Sequence, residues 1–146
     1  MSLQIQISVH IAAPAKAVAV VDAGLDSHNI ASAPLVDVQL LHVIAQNRDG
    51  TVVGGAIGRT WGACCELQQL WVSEELRSIG IGTQLMDAFE HQAQSRGCQL
   101  VYLETFSFQA PVFYQTRGYA EVLRIVGFTG GVIKFTMQKL LDTPDS

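Results

Sequence analysis

The chain has 146 residues, of which 49% are hydrophobic and 15% are charged, and its net charge is -4 at pH 7. This length fits one domain with a substantial core, and the composition excludes a disordered chain. The nine lysines and arginines are scattered, which argues against a nucleic-acid-binding protein because such proteins present a basic face to phosphates.

Membrane, secretion and metal patterns are absent from the sequence. No stretch approaches the run of about 20 apolar residues that crosses a bilayer, and residues 7–21 lack the basic leader and cleavage site of a signal peptide. The three cysteines include the adjacent Cys64 and Cys65 and form no disulfide framework. Since the four histidines show no ligand spacing either, we expect a cytoplasmic protein with reduced thiols, no metal and no membrane partner.

The first third of the chain predicts a strand and a helix. Apolar and polar residues alternate over 3–11, as in a half-buried strand. The Ala-rich stretch 14–32 predicts a helix, which Gly24 interrupts. A strand over 36–46 and an Asp-Gly turn over 47–50 follow.

The middle of the chain continues this sheet. Residues 51–61 return antiparallel, and their glycines indicate a bulge or the close approach of another backbone; these are Gly54, Gly55 and Gly58. The next predicted elements, in chain order, are a strand over 64–72, a helix over 83–96, a strand over 99–105, a short helix over 109–117 and a hairpin formed by 119–128 and 132–141. In the longer helix, Glu90 falls on the polar side, and Gly97 is placed to end it. The predicted class is α/β with a mixed, mostly antiparallel sheet and at least one strand–helix–strand crossover.

The stretch "LRSIGIGTQLM" (76–86) predicts an anion site. Glycines entering a helix leave amides without intrahelical partners, and the helix dipole and Arg77 add positive charge. A nucleotide P-loop would require Gly-Lys-Ser/Thr, which Gly82-Thr83-Gln84 does not supply. A dinucleotide site would require glycine at Leu85, although Glu104 stands near the distance of the ribose-binding acid. The Arg-x-x-Gly-x-Gly pattern and a ligand-free glycine-rich loop are the other two interpretations.

A second motif favours the Arg-x-x-Gly-x-Gly interpretation over the others. "LWVSEELRSIGIGTQLM" followed by "GCQLVYLETFSFQAPVFYQTRGY" resembles the GNAT superfamily of acetyl-CoA-dependent N-acetyltransferases, in particular its small bacterial members. The resemblance covers roughly residues 67–119, and the strand pair before it also matches the family's layout. It implies a single GNAT domain over 1–146, with a mostly antiparallel central sheet that is flanked by helices and splayed at the acetyl-CoA site.

The resemblance also implies which residues bind acetyl-CoA, the co-substrate. The loop would hold the pyrophosphate of coenzyme A through Arg77, Ser78, Ile79, Gly80, Ile81, Gly82 and Thr83. The backbone of Trp71 and Val72 would contact the pantetheine arm, and the Val72 amide would stabilise the oxyanion. Ala110, Phe113 and Tyr114 would lie against the coenzyme, with Tyr114 as general acid. Ser107 stands where the family often has an asparagine that contacts the coenzyme.

The proton acceptor departs from the family's pattern. Relatives often carry a carboxylate in the strand before the loop, where this chain has Gln68. Glu66, two residues earlier on the same face, or a water chain that ends there, is the candidate base. Trp61, Phe106 and Phe108 are candidates for the acceptor slot, with core packing as the alternative.

The resemblance implies acetyl transfer from acetyl-CoA to a primary amine by direct transfer in a ternary complex. A small-molecule amine is the preferred acceptor, while a protein lysine or N-terminus stays open, and the acidic balance favours a cationic acceptor. The alternatives are an acyl-CoA-binding sensor without turnover and a nicotinamide enzyme that uses the same loop. A homodimer through the final hairpin is also expected.

Overall fold

The computed structural model describes residues 4–33 and 35–142. Contacts divide the chain into two compact units, residues 1–35 and 36–146. In the first unit, helix α1 (Ala15–Ser32) runs through Gly24 without a break, so the predicted interruption is wrong. A helix interior tolerates a single glycine at a cost of about 1 kcal/mol relative to alanine.

The strand predicted over 3–11 is also wrong for the described residues of that range. Residues 4–10 form neither helix nor strand, and the alternating apolar side chains are exposed, at Ile5, Ile7, Val9 and Ile11. A segment with this alternation forms a strand only where a neighbouring strand supplies hydrogen-bond partners for its backbone. Among the described residues no strand pairs with this segment.

The second unit is built on a six-stranded sheet with the order β1-β2-β3-β4-β6-β5. The strands are β1 (Gln39–Gln46), β2 (Val52–Trp61), β3 (Cys64–Val72), β4 (Leu100–Phe106), β5 (Ala120–Ile125) and β6 (Lys134–Leu140). All neighbouring pairs are antiparallel except β3 with β4. The predicted class and crossover are therefore confirmed. Strand β1 starts later than predicted because residues 35–37 form a 3₁₀ turn.

Helix α2 (Ile81–Ser95) forms the crossover between β3 and β4, and α3 (Pro111–Thr116) follows β4. The buried face of α2 consists of Leu85, Met86, Phe89, Glu90 and Ala93. Gly97 follows the helix with φ of +86°, as its predicted role as a stop requires. No helix in the described part of the chain is long and apolar enough to span a membrane.

The position of Glu90 corrects the prediction that it lies on the polar side of α2. Its side chain is buried and accepts from Lys139 Nζ at 2.7 Å and from the Tyr119 hydroxyl at 2.9 Å. Arg117 approaches the same carboxylate at 3.2 Å. A buried carboxylate is tolerated when it is paired and hydrogen-bonded, so this cluster joins α2 to the end of the chain's last hairpin.

The glycines of β2 produce the predicted bulge. The register of β2 with β3 shifts between Ile57 and Gly58, so that Gln68 has no partner on β2. At Gly58 a Cβ would overlap the carbonyl oxygen of Glu66 and lie 2.7 Å from Phe89 Cζ. Glycine therefore allows β3 and α2 to approach β2 at the bulge.

Candidate active site

The loop before α2 has the shape of an anion cradle. Gly80 caps the helix with φ of +92°, a left-handed conformation that glycine adopts without strain. The first helical hydrogen bond of α2 runs from Gln84 N–H to Gly80 O at 3.0 Å. The three amides between these residues therefore have no intrahelical partner, and the helix dipole makes this end electropositive.

Packing within the protein does not explain the loop glycines. A Cβ at Gly80 would meet no atom within 4 Å, and one at Gly82 would lie 3.7 Å from the ring of Phe113, an ordinary contact. The space above the loop therefore remains open to a ligand. It belongs to a cavity of about 520 Å³, which we call the loop cavity and whose lining includes Arg77, Ser78, Gly80, Gly82, Thr83 and Phe113.

Arg77 is the charged residue of the loop cavity's lining. Its Nε donates to the carbonyl oxygen of Val72 at 3.0 Å, which holds the guanidinium between the loop and the end of β3. The remaining guanidinium donors have no partner among the described residues, and they are free to form the forked contact that arginine makes with phosphate oxygens.

The sheet opens beside this loop. The parallel pairing of β3 with β4 ends at Leu67 and Leu103, although β3 continues to Val72 and β4 to Phe106. Between the two separated strand ends lies a cavity of about 580 Å³, which we call the gap cavity. It shares Leu70, Val72, Arg77 and Ala110 with the loop cavity, so the two form one continuous groove.

The backbone of Val72 faces this gap. Ser73 N–H donates to Val53 O of β2 at 2.8 Å, and successive amides of a strand point to opposite edges. The Val72 amide therefore points toward the side from which β4 has separated, where it can donate to an oxygen in the groove.

Tyr114 of α3 also lines the gap cavity and is 7% exposed. Its hydroxyl has no hydrogen-bond partner within 4–33 and 35–142, and burial raises its pKa to about 12. It therefore stays protonated at neutral pH, as a proton donor must.

Comparison with known proteins identifies the fold and the chemistry. The model of the Acetyltransferase (GNAT) family matches residues 23–119. The chain belongs to this family. Its fold and its activity as an acyltransferase follow, and acetyl-CoA is the donor that the family uses.

Individual relatives agree with this assignment of an acetyltransferase. A protein described as an acetyltransferase from Agrobacterium fabrum is 31% identical over 98 residues, which cover 67% of this chain and 72% of that protein. The blasticidin-S acetyltransferase of Streptomyces morookaense is 30% identical over 112 residues, which cover 74% and 82%. A crystal structure of an acetyltransferase from Bacillus cereus superposes with a TM-score of 0.76 at 26% identity, and covers 92% of this chain and 98% of that one.

Most of the acetyltransferase's predicted coenzyme-binding residues line the groove. The gap cavity contains Trp71, Val72, Ala110 and Tyr114, and the loop cavity holds the loop residues named above. Ile79 and Ile81 line neither cavity; Ile79 is exposed, and Ile81 packs on the core. Their predicted contribution through backbone amides stays a prediction.

The structure does not bring Ser107 to the groove. Its amide donates to Ile133 O at 2.8 Å, and its hydroxyl accepts from Ile133 N–H at 3.1 Å. Both polar groups thus join the end of β4 to the approach to β6, and coenzyme binding by Ser107 stays a prediction.

Glu66 lies outside the gap cavity. It lines a neighbouring cavity of about 250 Å³ with Gln68 and Tyr102. One carboxylate oxygen already accepts from Arg59 Nε at 3.1 Å and from the Tyr102 hydroxyl at 3.2 Å. The structure therefore separates the predicted base from the cavity that contains Tyr114.

The gap cavity also includes polar residues that were not among the residues predicted to bind acetyl-CoA or to act in catalysis; these are Gln69, Glu104, Thr105 and Gln109. For Glu104, Thr105 and Gln109 the signal was their position at or after the end of β4, since the carboxyl ends of parallel strands lie at the same edge of the sheet. Of the three candidates for the acceptor slot, Phe108 lines the gap cavity. Phe106 instead stacks on Phe108 with ring centroids 5.4 Å apart, and Trp61 pairs with Cys64 at the opposite end of β3.

The cysteines of the acetyltransferase lie away from the groove. Cys65 and Cys98 are buried. Burial is the main cause of a raised pKa in both thiols, and it raises the pKa of Cys65 to about 12. Cys64 is exposed at the start of β3. Among the described residues, no group of three or more His, Cys, Asp or Glu side chains is placed to hold a metal ion.

Alkaline titration tests the placement of the tyrosines. Burial is the largest cause that raises the pKa of each of the three, to about 12 for Tyr114 and upward for Tyr102 and Tyr119. Because the folded state favours the protonated phenol, this stabilisation is complete below about pH 10 and is lost as the pH rises toward 12. We expect little phenolate absorbance at 295 nm at pH 10 in the folded protein, and full titration near pH 10 in urea. Normal titration of all three tyrosines with native circular dichroism would contradict the burial of Tyr114 and Tyr119.

Proposed function

We propose that this acetyltransferase transfers an acetyl group from acetyl-CoA to the primary amine of a small molecule, directly within a ternary complex. One observation carries the proposal: a continuous groove joins an electropositive helix end, a free strand amide at Val72 and the Tyr114 hydroxyl. These are the groups that bind a diphosphate, stabilise an oxyanion and protonate a leaving thiolate.

The loop before α2 and the separated ends of β3 and β4 bind acetyl-CoA. The amides before and within the first turn of α2, with the guanidinium of Arg77, hold the pyrophosphate. The open edge of β3 then receives the amide groups of the pantetheine arm as a neighbouring strand would. This places the thioester near Val72 and Tyr114, which share the gap cavity.

The chemistry requires that the amine nitrogen lose two protons in the course of the reaction and that the departing sulfur gain one. An amine with a pKa near 10 is mostly protonated at neutral pH and must lose a proton before it attacks. The Val72 amide stabilises the oxyanion, and Tyr114 gives its proton to the departing sulfur. A carboxylate beside the groove takes the amine's proton, and Glu66 is the candidate from sequence.

Direct transfer is supported by the positions of the thiols. An acyl-enzyme would require a nucleophilic thiolate beside the thioester. None of the three cysteines lines the groove formed by the described residues. Burial also keeps Cys65 protonated by raising its pKa.

A small-molecule acceptor is supported by the relative named for an antibiotic, the blasticidin-S acetyltransferase, which covers 74% of this chain. The family match over 23–119 spans both compact units, so we infer one acetyltransferase domain over 1–146. A homodimer through β5 and β6 stays a prediction; β5 is an edge strand whose side chains are exposed.

The test is turnover with a panel of amines. Purified protein, acetyl-CoA and each amine are incubated, and the acetylated product is measured by mass spectrometry together with the released thiol. Equal amounts of amide and thiol, with only slow thiol release when the amine is omitted, are expected. Tight binding of acetyl-CoA without product across small amines, peptides and protein lysines would instead support a sensor. Acetylation of peptides alone would overturn the small-molecule acceptor.

A further inference from the structure

The lining of the gap cavity contains one charged side chain of each sign. The charged residues are the cationic Arg77 and the carboxylate Glu104, and the lining also contains the phenol of Tyr114. Arg77 is held at the loop end by its bond to the Val72 carbonyl. A protonated amine that enters this cavity therefore meets one side chain of opposite charge, Glu104.

The fold sets Glu104 at the point where the sheet opens. Leu103 is the last residue of β4 that pairs with β3, and Glu104 follows it directly while still pairing with Thr136 of β6. Glu104 lines both the gap cavity and the smaller cavity that contains Glu66. Glu104 therefore lies where the cavity that contains Tyr114 meets the cavity that contains Glu66.

Glu104 already binds an ammonium group. Lys134 Nζ lies 2.5 Å from Glu104 Oε2, and the side chains are 31% and 53% exposed, respectively. Lys134 also lies over the ring of Phe106, 5.8 Å from its centroid. An ion pair this exposed contributes little to stability, so a substrate ammonium can replace Lys134 at small cost.

Two aromatic side chains share the gap cavity with this carboxylate. Phe108 is 70% exposed and Trp71 is 52% exposed, and both line the gap cavity with Glu104. Large exposed aromatics in a cavity bind a flat or apolar partner through burial and ring stacking.

We propose that Glu104 is the residue that binds the acceptor amine and takes its proton, and that the acceptor is a protonated amine on a flat aromatic body without a neighbouring carboxylate. This inference rests on the proposed function and assigns to Glu104 the role for which Glu66 is the candidate from sequence. A carboxylate beside the amine would be repelled by Glu104.

The protons balance in this scheme. Glu104 takes one proton from the ammonium, and the free amine attacks the thioester carbon. As the carbon–sulfur bond breaks, Tyr114 gives its proton to the sulfur. The nitrogen loses its second proton as the amide forms, and this proton restores Tyr114 through water, while Glu104 releases its own to solvent.

The variants compare carboxylates in three environments. Glu104→Gln is expected to lower kcat/KM for an arylalkylamine such as phenethylamine about 100-fold and to leave the Kd of acetyl-CoA unchanged. Glu66→Gln is expected to have a smaller effect. Glu121→Gln, on the edge strand and paired with Arg124, is the control that leaves kcat/KM unaltered.

A second variant removes the competing ammonium. Lys134→Met is expected to lower the KM for phenethylamine roughly threefold, because Glu104 no longer has to release a side chain before it binds substrate. Thermal unfolding of each variant separates these effects from loss of the fold. An unchanged or higher KM in Lys134→Met would overturn the exchange of ammonium groups.

Matched acceptors test the substrate class. Phenethylamine is expected to exceed butylamine in kcat/KM about tenfold, and this preference should be lost in Phe108→Ala. Phenylalanine, which adds a carboxylate beside the amine, should be a poor acceptor. Absence of turnover with any acceptor would refute the proposed function itself. Turnover that depends on Glu66 and not on Glu104 would overturn this inference alone, and so would a preference for phenylalanine.

Discussion

Replacing Tyr114 by phenylalanine is expected to lower kcat about 1,000-fold and to leave the Kd of acetyl-CoA and the stability nearly unchanged. General acid catalysis contributes this much when the leaving group requires a proton. The hydroxyl has no partner among the described residues, so its removal breaks no hydrogen bond in the fold. Single-turnover kinetics with saturating acetyl-CoA would measure the chemical step, and equilibrium binding would measure the affinity.

Tyr119→Phe is the matched control. The Tyr119 hydroxyl is buried and donates to Glu90 at 2.9 Å, outside the groove. Its removal is expected to cost about 2 kcal/mol of stability and to leave kcat unchanged. If Tyr114→Phe kept wild-type kcat, or if Tyr119→Phe lost it while still folded, the assignment of Tyr114 as proton donor would be wrong.

Gly58→Ala is expected to reduce the free energy of unfolding by about 3 kcal/mol, the largest effect on stability that we predict. The new Cβ would overlap the Glu66 carbonyl oxygen and approach Phe89 to 2.7 Å, and neither the sheet backbone nor a fully buried ring can move away easily. Urea unfolding monitored by circular dichroism would measure the change.

Gly24→Ala is the control for this substitution. The glycine lies inside α1, and an added Cβ there meets no atom within 4 Å. The same change is therefore expected to stabilise the protein by up to about 1 kcal/mol, since alanine favours the helix. Equal effects at both positions would contradict the close approach at the bulge.

Sequence patterns predicted the elements of the second unit well, because local periodicity and turn chemistry specify them. The glycines of β2 predicted a bulge, and the structure has one at Gly58. The pattern at 3–11 failed because pairing partners of a strand are not encoded in its own alternation. Glu90 was misplaced for a similar reason, since its partners Lys139, Arg117 and Tyr119 come from distant parts of the chain.

The same distinction applies to the site. The position of the loop and of Tyr114 beside one groove was predictable because both belong to contiguous motifs, while their roles stay predictions. Glu104 required knowledge that the pairing of β3 with β4 ends at Leu103, which is a tertiary property. Glu66 was selected by its spacing from Gln68, but the bulge at Gln68 and the contacts with Arg59 and Tyr102 place it in the neighbouring cavity.

A negative charge at Thr83 tests most directly whether the loop before α2 binds the pyrophosphate of acetyl-CoA. Thr83 is the third residue of α2 and lines the loop cavity. Glutamate at this position favours helix formation but would repel a diphosphate, whereas glutamine has a similar size without the charge.

The measurement is a calorimetric titration of wild type, Thr83→Glu and Thr83→Gln with acetyl-CoA, repeated with NADH. For wild type we predict a Kd for acetyl-CoA on the order of micromolar and no binding of NADH. We predict that Thr83→Glu binds acetyl-CoA at least about 100-fold more weakly, and that the Kd of Thr83→Gln differs from that of wild type by no more than a few-fold. Acetyl-CoA binding that is absent in wild type, or equally strong in Thr83→Glu, would contradict the account.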